Sequence, residues 1–187
     1  MDPFEIVVLE RPDQDLEDPA VRVVRLFDEL RDSLFRYLRW LGCTPEEADD
    51  TIQETFVRLH AHLTARGSDE NLRSWVFRVA GNLVRDERKS WRRKWSRPLE
   101  GTSPGSWTDP SAGPEQTVLA KESSERLEAA IRRLPKDQQK CLALRSEGLR
   151  YREIAEVLGI GVTTVADALR RAVNTLSREL QGKDGLT

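Results

Sequence analysis

The side chains best suited to chemistry lie between Leu72 and Trp95, where basic residues alternate with tryptophans. Read as a helix, this stretch buries four apolar positions, Leu72, Val76, Val79 and Leu83. Away from them it carries donors spaced i, i+4, i+7, i+11 and i+14, namely Arg78, Asn82, Arg85, Lys89 and Arg92, with Arg88, Trp91 and Arg93 beside this row. Repeated bases suit a phosphate backbone, and a Trp ring stacks on an unpaired base for about 1–3 kcal/mol. The stretch predicts a nucleic-acid-binding face; a solvated helix whose tryptophans cover the core is the alternative.

A second candidate site follows the pattern helix, tight turn, helix near the C-terminus. The sequence predicts a helix over 151–158, a turn over 159–161 and a second helix from Val162. One apolar set would pack these two helices together: Ile154, Ala155, Leu158, Ile160, Val165 and Leu169. In a helix-turn-helix the second helix enters the major groove, and its outward face would carry Thr163, Asp167, Arg170, Arg171 and Asn174. Asp167 only accepts, so it would either take the exocyclic amine of a cytosine or weaken phosphate binding. A hairpin that serves only packing is the alternative.

The third feature is an acidic helix. Five acids fall within nine residues, with no base among them: Glu46, Glu47, Asp49, Asp50 and Glu54. Thr44 to Glu47 has the form of a capping box, and acids in a first turn complement the helix dipole. Asp50, Gln53 and Glu54 lie too far along the helix for that role. They predict a polar face for a basic protein partner, opposite the apolar stripe of Ile52, Phe56, Leu59 and Leu63.

No catalytic or metal-binding constellation is present in the sequence. His60 and His62 point about 160° apart on a helix, which disfavours a shared metal ion. Cys43 and Cys141 form no CxxC pair, so both are expected to be free, buried thiols. There is no phosphate-binding loop and no nucleophile elbow. We therefore expect no enzyme activity, no cofactor and no metal.

The net charge of −2 over 187 residues hides opposed segments. Residues 1–20 hold seven acids and one base, a net of −6, whereas residues 85–97 hold seven bases and two acids, a net of +5. One hypothesis is that the acidic extension folds back on the basic helix and competes with DNA. Near-neutrality consequently does not exclude a nucleic-acid partner.

The elements that must position these residues are all helical. Asp18-Pro19 predicts the start of a first helix, whose stripe is Leu26, Leu30, Leu34, Leu38 and Leu41. Prolines at 98, 104, 110 and 114 among Gly and Ser predict a flexible linker. The expected fold class is all-α, with two small helical domains whose relative orientation the linker leaves open. The boundaries are an acidic extension 1–20, a helical domain 21–97, a linker 98–120 and a helix-turn-helix domain 121–182. No apolar run is long enough for a membrane span and no basic n-region precedes one, so we expect a cytoplasmic protein without membrane insertion.

Three strings in this order resemble the ECF (extracytoplasmic function) sigma factors, two-domain initiation subunits of bacterial RNA polymerase. They are residues 48–56, ADDTIQETF; residues 72–82, LRSWVFRVAGN; and residues 134–135 with 148–155 and 164–172, where Arg152 and Thr164 fall within the matching strings. The resemblance implies that Asp50, Gln53, Glu54 and Phe56 meet the β′ clamp helices of core RNA polymerase. It further implies that the loop 66–71 and the helix from Asn82 handle the −10 element, and that the helix-turn-helix reads the −35 element.

The partners implied by this resemblance are core RNA polymerase, through the β′ clamp helices and the β flap, promoter DNA, and an anti-sigma factor. Two other functions stay open. One is a free-standing helix-turn-helix regulator, although no dimer seam or effector domain is visible. The other is a sigma-like adaptor that has lost promoter reading. The string Ala166-Asp167-Ala168 permits the latter, because family members usually carry basic or small polar residues there.

Overall fold

The computed structural model describes residues 18–65, 67–95 and 118–181, with side chains given for 18–65, 67–90 and 123–180. These ranges hold seven helices and no strand: α1 Pro19–Trp40, α2 Pro45–Thr64, α3 Leu72–Trp95, α4 Val118–Arg133, α5 Lys136–Ser146, α6 Tyr151–Leu158 and α7 Val162–Gln181. The all-α fold class is confirmed. The acidic extension as far as residue 17 and most of the predicted linker lie outside the described residues. Helix α4 begins at Val118, inside the last three residues of that linker.

The helix starts follow the predicted capping chemistry. The Asp18 carboxylate accepts from the Ala20 amide at 2.9 Å, and Pro19 occupies the first helical position. At the start of α2 the Thr44 hydroxyl accepts from the Glu47 amide at 3.2 Å, while the Glu47 carboxylate accepts from the Thr44 amide at 2.7 Å. Both donors would otherwise be unpaired, so this capping box fixes where the acidic helix begins.

Helices α1, α2 and α3 form the N-terminal module. Its buried core contains most of the predicted stripes, namely Leu30, Leu34, Leu38, Ile52, Phe56 and Leu59, while Leu26, Leu41 and Leu63 are half-buried against it. The stripe predicted for α3 is partly wrong: Val79 and Leu83 are only half-buried, whereas Phe77, Ala80 and Val84 are buried with Leu72 and Val76. The buried face is therefore rotated by roughly 60° at 100° per residue. The reason is that α3 packs against α1 and α6 as well as α2, and the Phe77 ring lies 5.4 Å from that of Tyr37 on α1.

Helices α4 to α7 form the C-terminal module, and α6 and α7 make the predicted helix-turn-helix. Gly159 ends α6 with a φ of 67°, in the left-handed region where a side chain is strained. The Ile160 amide then donates to the Ala155 carbonyl at 3.1 Å, which tightens the turn. Ile154, Ala155, Val165 and Leu169 are buried as predicted, and Leu158 and Ile160 pack partly buried against them. A smaller cluster joins Ala130, Ile131 and Leu134 to Ala172 and Leu176, which holds α4 against α7.

The two modules pack against each other. Helix α6 lies on α3, α5 touches α1, and one apolar cluster contains core residues of both modules. The sequence left this arrangement open, because the linker composition carries no information about docking.

Candidate nucleic-acid interface

The acidic helix α2 exposes the three polar residues of its predicted partner face but buries the aromatic residue of the same motif. Asp50, Gln53 and Glu54 are exposed, and the Glu54 carboxylate accepts from Arg58 at 2.7 Å. Glu47 is engaged in the capping box. Phe56 is only 5% exposed, and its ring meets Phe27 edge-on at 5.1 Å. Its place in the structure is to fix α2 against α1, while the three polar residues remain available to a partner.

An apolar groove beside this face was missed by sequence reasoning. It runs between α1 and α2 with a volume of about 550 Å³, and Phe27, Ile52 and Phe56 line it. Val24 and Val57, on its rim, are 61% and 59% exposed. The sequence signal for this groove was one valine on each helix, Val24 on α1 and Val57 on α2, outside the predicted apolar stripes. Exposed apolar residues clustered beside a polar face are typical of a protein-binding surface.

The basic face of α3 is present as predicted over the described side chains. Arg78, Asn82, Arg85 and Lys89 are all exposed, and Arg85 donates to the side-chain amide oxygen (Oδ1) of Asn82 at 2.9 Å. Arg88 is different: it is half-buried and donates to the Leu41 carbonyl at 2.6 Å, which ties α3 to the end of α1. The side chains of Trp91, Arg92 and Arg93 lie outside the described residues.

The loop before α3 is held from both sides. The His62 ring stacks on Trp75 at 5.0 Å, and its Nε2 lies 2.8 Å from the Ser68 carbonyl. A Cβ on Gly67 would lie 2.2 Å from the same ring, so any other residue there would displace the His62 side chain. Asn71 has a φ of 56° and its carbonyl accepts from the Trp75 amide at 3.0 Å. His62 is thereby a structural residue, and within the described part of the chain no three or more His, Cys, Asp and Glu side chains come together as metal ligands would.

The second helix of the helix-turn-helix, α7, exposes Thr163, Thr164, Arg170, Arg171 and Asn174, and Arg152 is exposed on α6. Asp167 is half-buried, and its carboxylate accepts from Arg170 at 2.7 Å. The one acid of the outward face is thus already paired with a neighbouring base of the same face. This contact has no counterpart among the sequence-based expectations, although the i,i+3 spacing permits it.

A cleft of about 410 Å³ separates the basic face of α3 from the C-terminal module. Arg78, Arg85 and Lys89 line one side, and Thr164 and Ala168 of α7 line the other. The candidate DNA-facing residues of both modules therefore meet at one place.

Two carboxylates of the C-terminal module bridge to the N-terminal module. Glu147 accepts from Arg36 at 2.8 Å, and Arg73 donates to the Glu147 carbonyl at the same distance. Glu156 accepts from the Asn71 side-chain amide at 2.9 Å and also from the Ser74 hydroxyl. Burial raises the pKa of Glu147, and the neighbouring Arg36 and Arg73 lower it by less. Keeping the Glu147 carboxylate ionised therefore costs desolvation free energy.

Both cysteines are free and buried, as predicted. Burial raises the pKa of Cys43 to about 11, which is outside the range of reactive thiols. Among the described helices, none is long and apolar enough to cross a membrane.

Both modules match known protein families. The family model for sigma-70 region 2 matches residues 26–97, and the model for sigma-70 region 4 matches residues 124–176. The ECF RNA polymerase sigma factor BldN of Streptomyces coelicolor is 35% identical over 163 residues, which cover 83% of this chain and 59% of BldN. The ECF RNA polymerase sigma factor EcfG of Rhodopseudomonas palustris is 31% identical over 160 residues, which cover 81% of this chain and 85% of EcfG.

Two solved structures share the fold at low identity. RpoE of Bartonella quintana, solved with the anti-sigma factor NepR, aligns with a TM-score of 0.63 and 20% identity over 87% of this chain and 98% of RpoE. CnrH, solved with the cytosolic domain of CnrY, aligns with a TM-score of 0.58 and 22% identity over 88% of this chain and 90% of CnrH. The chain belongs to the ECF family of RNA polymerase sigma factors, which recognise promoters for RNA polymerase.

Proposed function

We propose that this chain binds core RNA polymerase through the exposed face of α2 and contacts promoter DNA through α3 and α7. The observation that carries the proposal is the order of three distinct surfaces along the chain. An acidic face comes first, then a basic face on the next helix, and last a helix-turn-helix in a second module. Each surface has the charge that its partner requires.

The polymerase contact would use Asp50, Gln53 and Glu54, which are exposed together on α2. Phe56 would act indirectly, by holding α2 in place. The neighbouring apolar groove adds surface that excludes water, which strengthens charged contacts at its edge. On the family's pattern the partner is the clamp-helix pair of the β′ subunit, with a second contact from the C-terminal module to the β flap.

The −10 element would meet the loop ending at Asn71 and the basic face of α3. Arg78, Arg85 and Lys89 supply phosphate contacts, while the loop can receive a base turned out of the stack, since unstacking costs only a few kcal/mol. Arg88 contributes charge from a fixed position because it is tied to Leu41. Trp91, Arg92 and Arg93 continue this surface in the sequence.

The −35 element would meet α7 in the major groove. Thr163, Thr164 and Asn174 can bond to phosphates or base edges, while Arg152, Arg170 and Arg171 add positive charge. The domains would then be residues 21–97 for polymerase and −10 binding and 121–182 for −35 binding. Such a protein supplies binding energy for promoter melting and no bond chemistry, so it is not an enzyme and requires no cofactor. Its place of action would be the cytoplasm, where the polymerase lies.

An anti-sigma factor is a further proposed partner. RpoE and CnrH, which share this fold, were each solved in a complex, RpoE with an anti-sigma factor. The exposed apolar groove between α1 and α2 offers a surface for a regulator of this kind, and such binding would compete with polymerase at α2.

The decisive experiment is transcription in vitro with core polymerase, this chain and a library of promoter sequences, followed by sequencing of the transcripts. We expect transcripts that share −10 and −35 motifs. A double variant, Asp50→Ala with Gln53→Ala, should weaken core binding several-fold, whereas Glu46→Ala, an exposed acid in the first turn of α2, should not. DNA binding without association with core polymerase would instead indicate a free-standing regulator. Core binding without any promoter-dependent transcript would indicate an adaptor.

A further inference from the structure

Two valines face water at the rim of the groove between α1 and α2. Val24 on α1 is 61% exposed and Val57 on α2 is 59% exposed, and the rings of Phe27 and Phe56 line the groove between them. Every described residue that lines this groove belongs to α1 or α2, so no third helix of the described chain covers it. Because burial of apolar surface is favourable, such a groove favours an apolar occupant.

The groove suits a short segment better than the face of a folded domain. Eleven described residues line its volume of about 550 Å³. Each side of a standard protein–protein interface contributes about 20–30 residues, whereas pockets of about 300–1,000 Å³ bury most of a ligand of drug size. The groove can therefore take several apolar side chains from one short stretch of polypeptide, while a second copy of the chain would need a much larger face.

One segment of this chain that lies outside the described residues has the matching composition. Residues 4–9 read FEIVVL, with Glu5 as their only charged residue. The two other long stretches outside the described ranges, 96–117 and 182–187, contain no two adjacent residues from Val, Ile, Leu, Met, Phe and Trp. Composition therefore selects residues 4–9 as the occupant within the chain.

The N-terminal extension joins the structure at one end of this groove. Ala20 and Val23, at the start of α1, line the groove, and its far end at Arg31 lies about 16 Å further along α1 at 1.5 Å per residue. The eight residues 10–17 connect the apolar run to Asp18 and can span up to roughly 26–29 Å. This tether is long enough to lay residues 4–9 along the whole groove.

The charge of the tether matches the helix that it must pass. Residues 10–17 hold four acids and one base, whereas the first two turns of α1 hold Arg22 and Arg25 and no acid. Complementary charges of this kind favour one orientation of approach and one register. They bring the extension towards the end of α1 at which the groove begins.

We propose that residues 4–9 bind the groove between α1 and α2 of their own chain and compete there with core RNA polymerase. Gln53 connects the two events, because it lines the groove and also belongs to the exposed polymerase-facing set with Asp50 and Glu54. The competition rests on the proposed function, whereas the groove contact does not. The extension thus carries a built-in competitor, whose displacement frees the polymerase-binding face of α2.

The groove contact is tested by disulfide cross-linking in the full-length chain. Val8→Cys is combined with Val57→Cys on the groove rim, and the control combines it with Val173→Cys on α7, which is 53% exposed and so about equally accessible. Cys43 and Cys141 are buried, and burial raises the pKa of both thiols, so neither competes in the reaction. We expect the groove pair to form an intramolecular disulfide about ten-fold faster than the control pair.

Three results would overturn this contact. The first is an equal rate for the groove pair and the control pair. The second is a faster reaction of Val8→Cys with Asn82→Cys, since that disulfide would place the apolar run on the basic face of α3. The third is a disulfide that forms between chains at a rate that rises with protein concentration, because the occupant would then be a second copy.

The competition is tested by the affinity for core polymerase. Val7→Asp with Val8→Asp makes the run polar, and Pro12→Asp with Gln14→Asp adds the same two charges to the tether as the matched control. A short tether gives an effective concentration of about 1 mM. If the run alone binds the groove with a Kd of about 0.1 mM, it occupies the groove in about ten of eleven molecules, and making it polar should tighten core binding about ten-fold. The control should bind as the parent chain does.

The two measurements separate the contact from the proposed function. An equal gain in the control pair would show that added charge causes the effect, which would overturn the competition. Preferential cross-linking with equal core affinities for all variants would also overturn the competition and leave the groove contact standing. If no variant binds core polymerase while the cross-linking series behaves as expected, the proposed function is wrong and the groove contact stands.

Discussion

Asp167 is the acid at the centre of the recognition face, and its replacement by Asn distinguishes two roles. The sequence allows Asp167 either to accept from a cytosine amine or to oppose phosphate binding. In the structure its carboxylate accepts from Arg170 at 2.7 Å, one turn along the same face. We therefore expect Asp167 mainly to neutralise Arg170, and Asp167→Asn to release that guanidinium for a phosphate.

The magnitude follows from counterion release. One additional phosphate contact steepens the dependence of log K on log[salt] by about 0.9. Lowering the salt four-fold, from about 200 mM to about 50 mM, should then raise the affinity of Asp167→Asn relative to the parent by a further factor of about 3.5. The variant should also bind more tightly at every DNA sequence, because phosphates carry no sequence information.

The assay is fluorescence anisotropy with a panel of duplexes at several salt concentrations. Glu179→Gln is the control, since it removes one acid at the far end of α7, where the carboxylate pairs with Arg133 at 3.4 Å. Stability should change little in either variant. The Asp167–Arg170 pair is exposed, with side chains 48% and 69% accessible, and such pairs are worth at most about 1 kcal/mol.

The reasoning is refuted by a loss of affinity that is confined to particular duplexes. If Asp167 reads a cytosine, Asp167→Asn should cost about 1–3 kcal/mol on sites that carry that base and nothing on the others. An unchanged salt slope would show that Arg170 makes no phosphate contact after its release.

Four further outcomes are expected. Lys89→Ala should lower the salt slope by about one unit while affecting all DNA sequences alike, and an unchanged slope would show that this face of α3 is not bound. Gly159→Ala should cost about 1–2 kcal/mol, and so lower the melting temperature by roughly 2–8 °C, because its φ of 67° is strained for any side chain; Gly161→Ala has no such φ and should leave it nearly unchanged. Cys43, whose pKa is raised to about 11, should resist Ellman's reagent at pH 8 until denaturant is added, and rapid labelling of the native chain would contradict its burial. Deleting residues 1–17 should tighten DNA binding at low salt, and equal affinity would disprove competition by the acidic extension.

Periodicity predicted most of the helices and their caps because both depend on neighbouring residues. The leucines of α1, the capping box of Thr44 and the left-handed Gly159 are all local features, and each lies where its pattern places it. The error on α3 has the opposite cause. Its buried face includes Phe77 and Val84 because α3 packs against three elements, and no local pattern specifies how many neighbours a helix has.

The candidate site was predictable in residue type but not in how its side chains are paired. Exposure of Arg78, Arg85 and Lys89 followed from helical spacing. That Arg88 bonds to Leu41, and Asn71 to Glu156, depends on contacts 47 and 85 residues apart in the chain, which composition and spacing do not encode. Phe56 illustrates the same limit, because a motif identifies a residue and not whether its side chain reaches the surface.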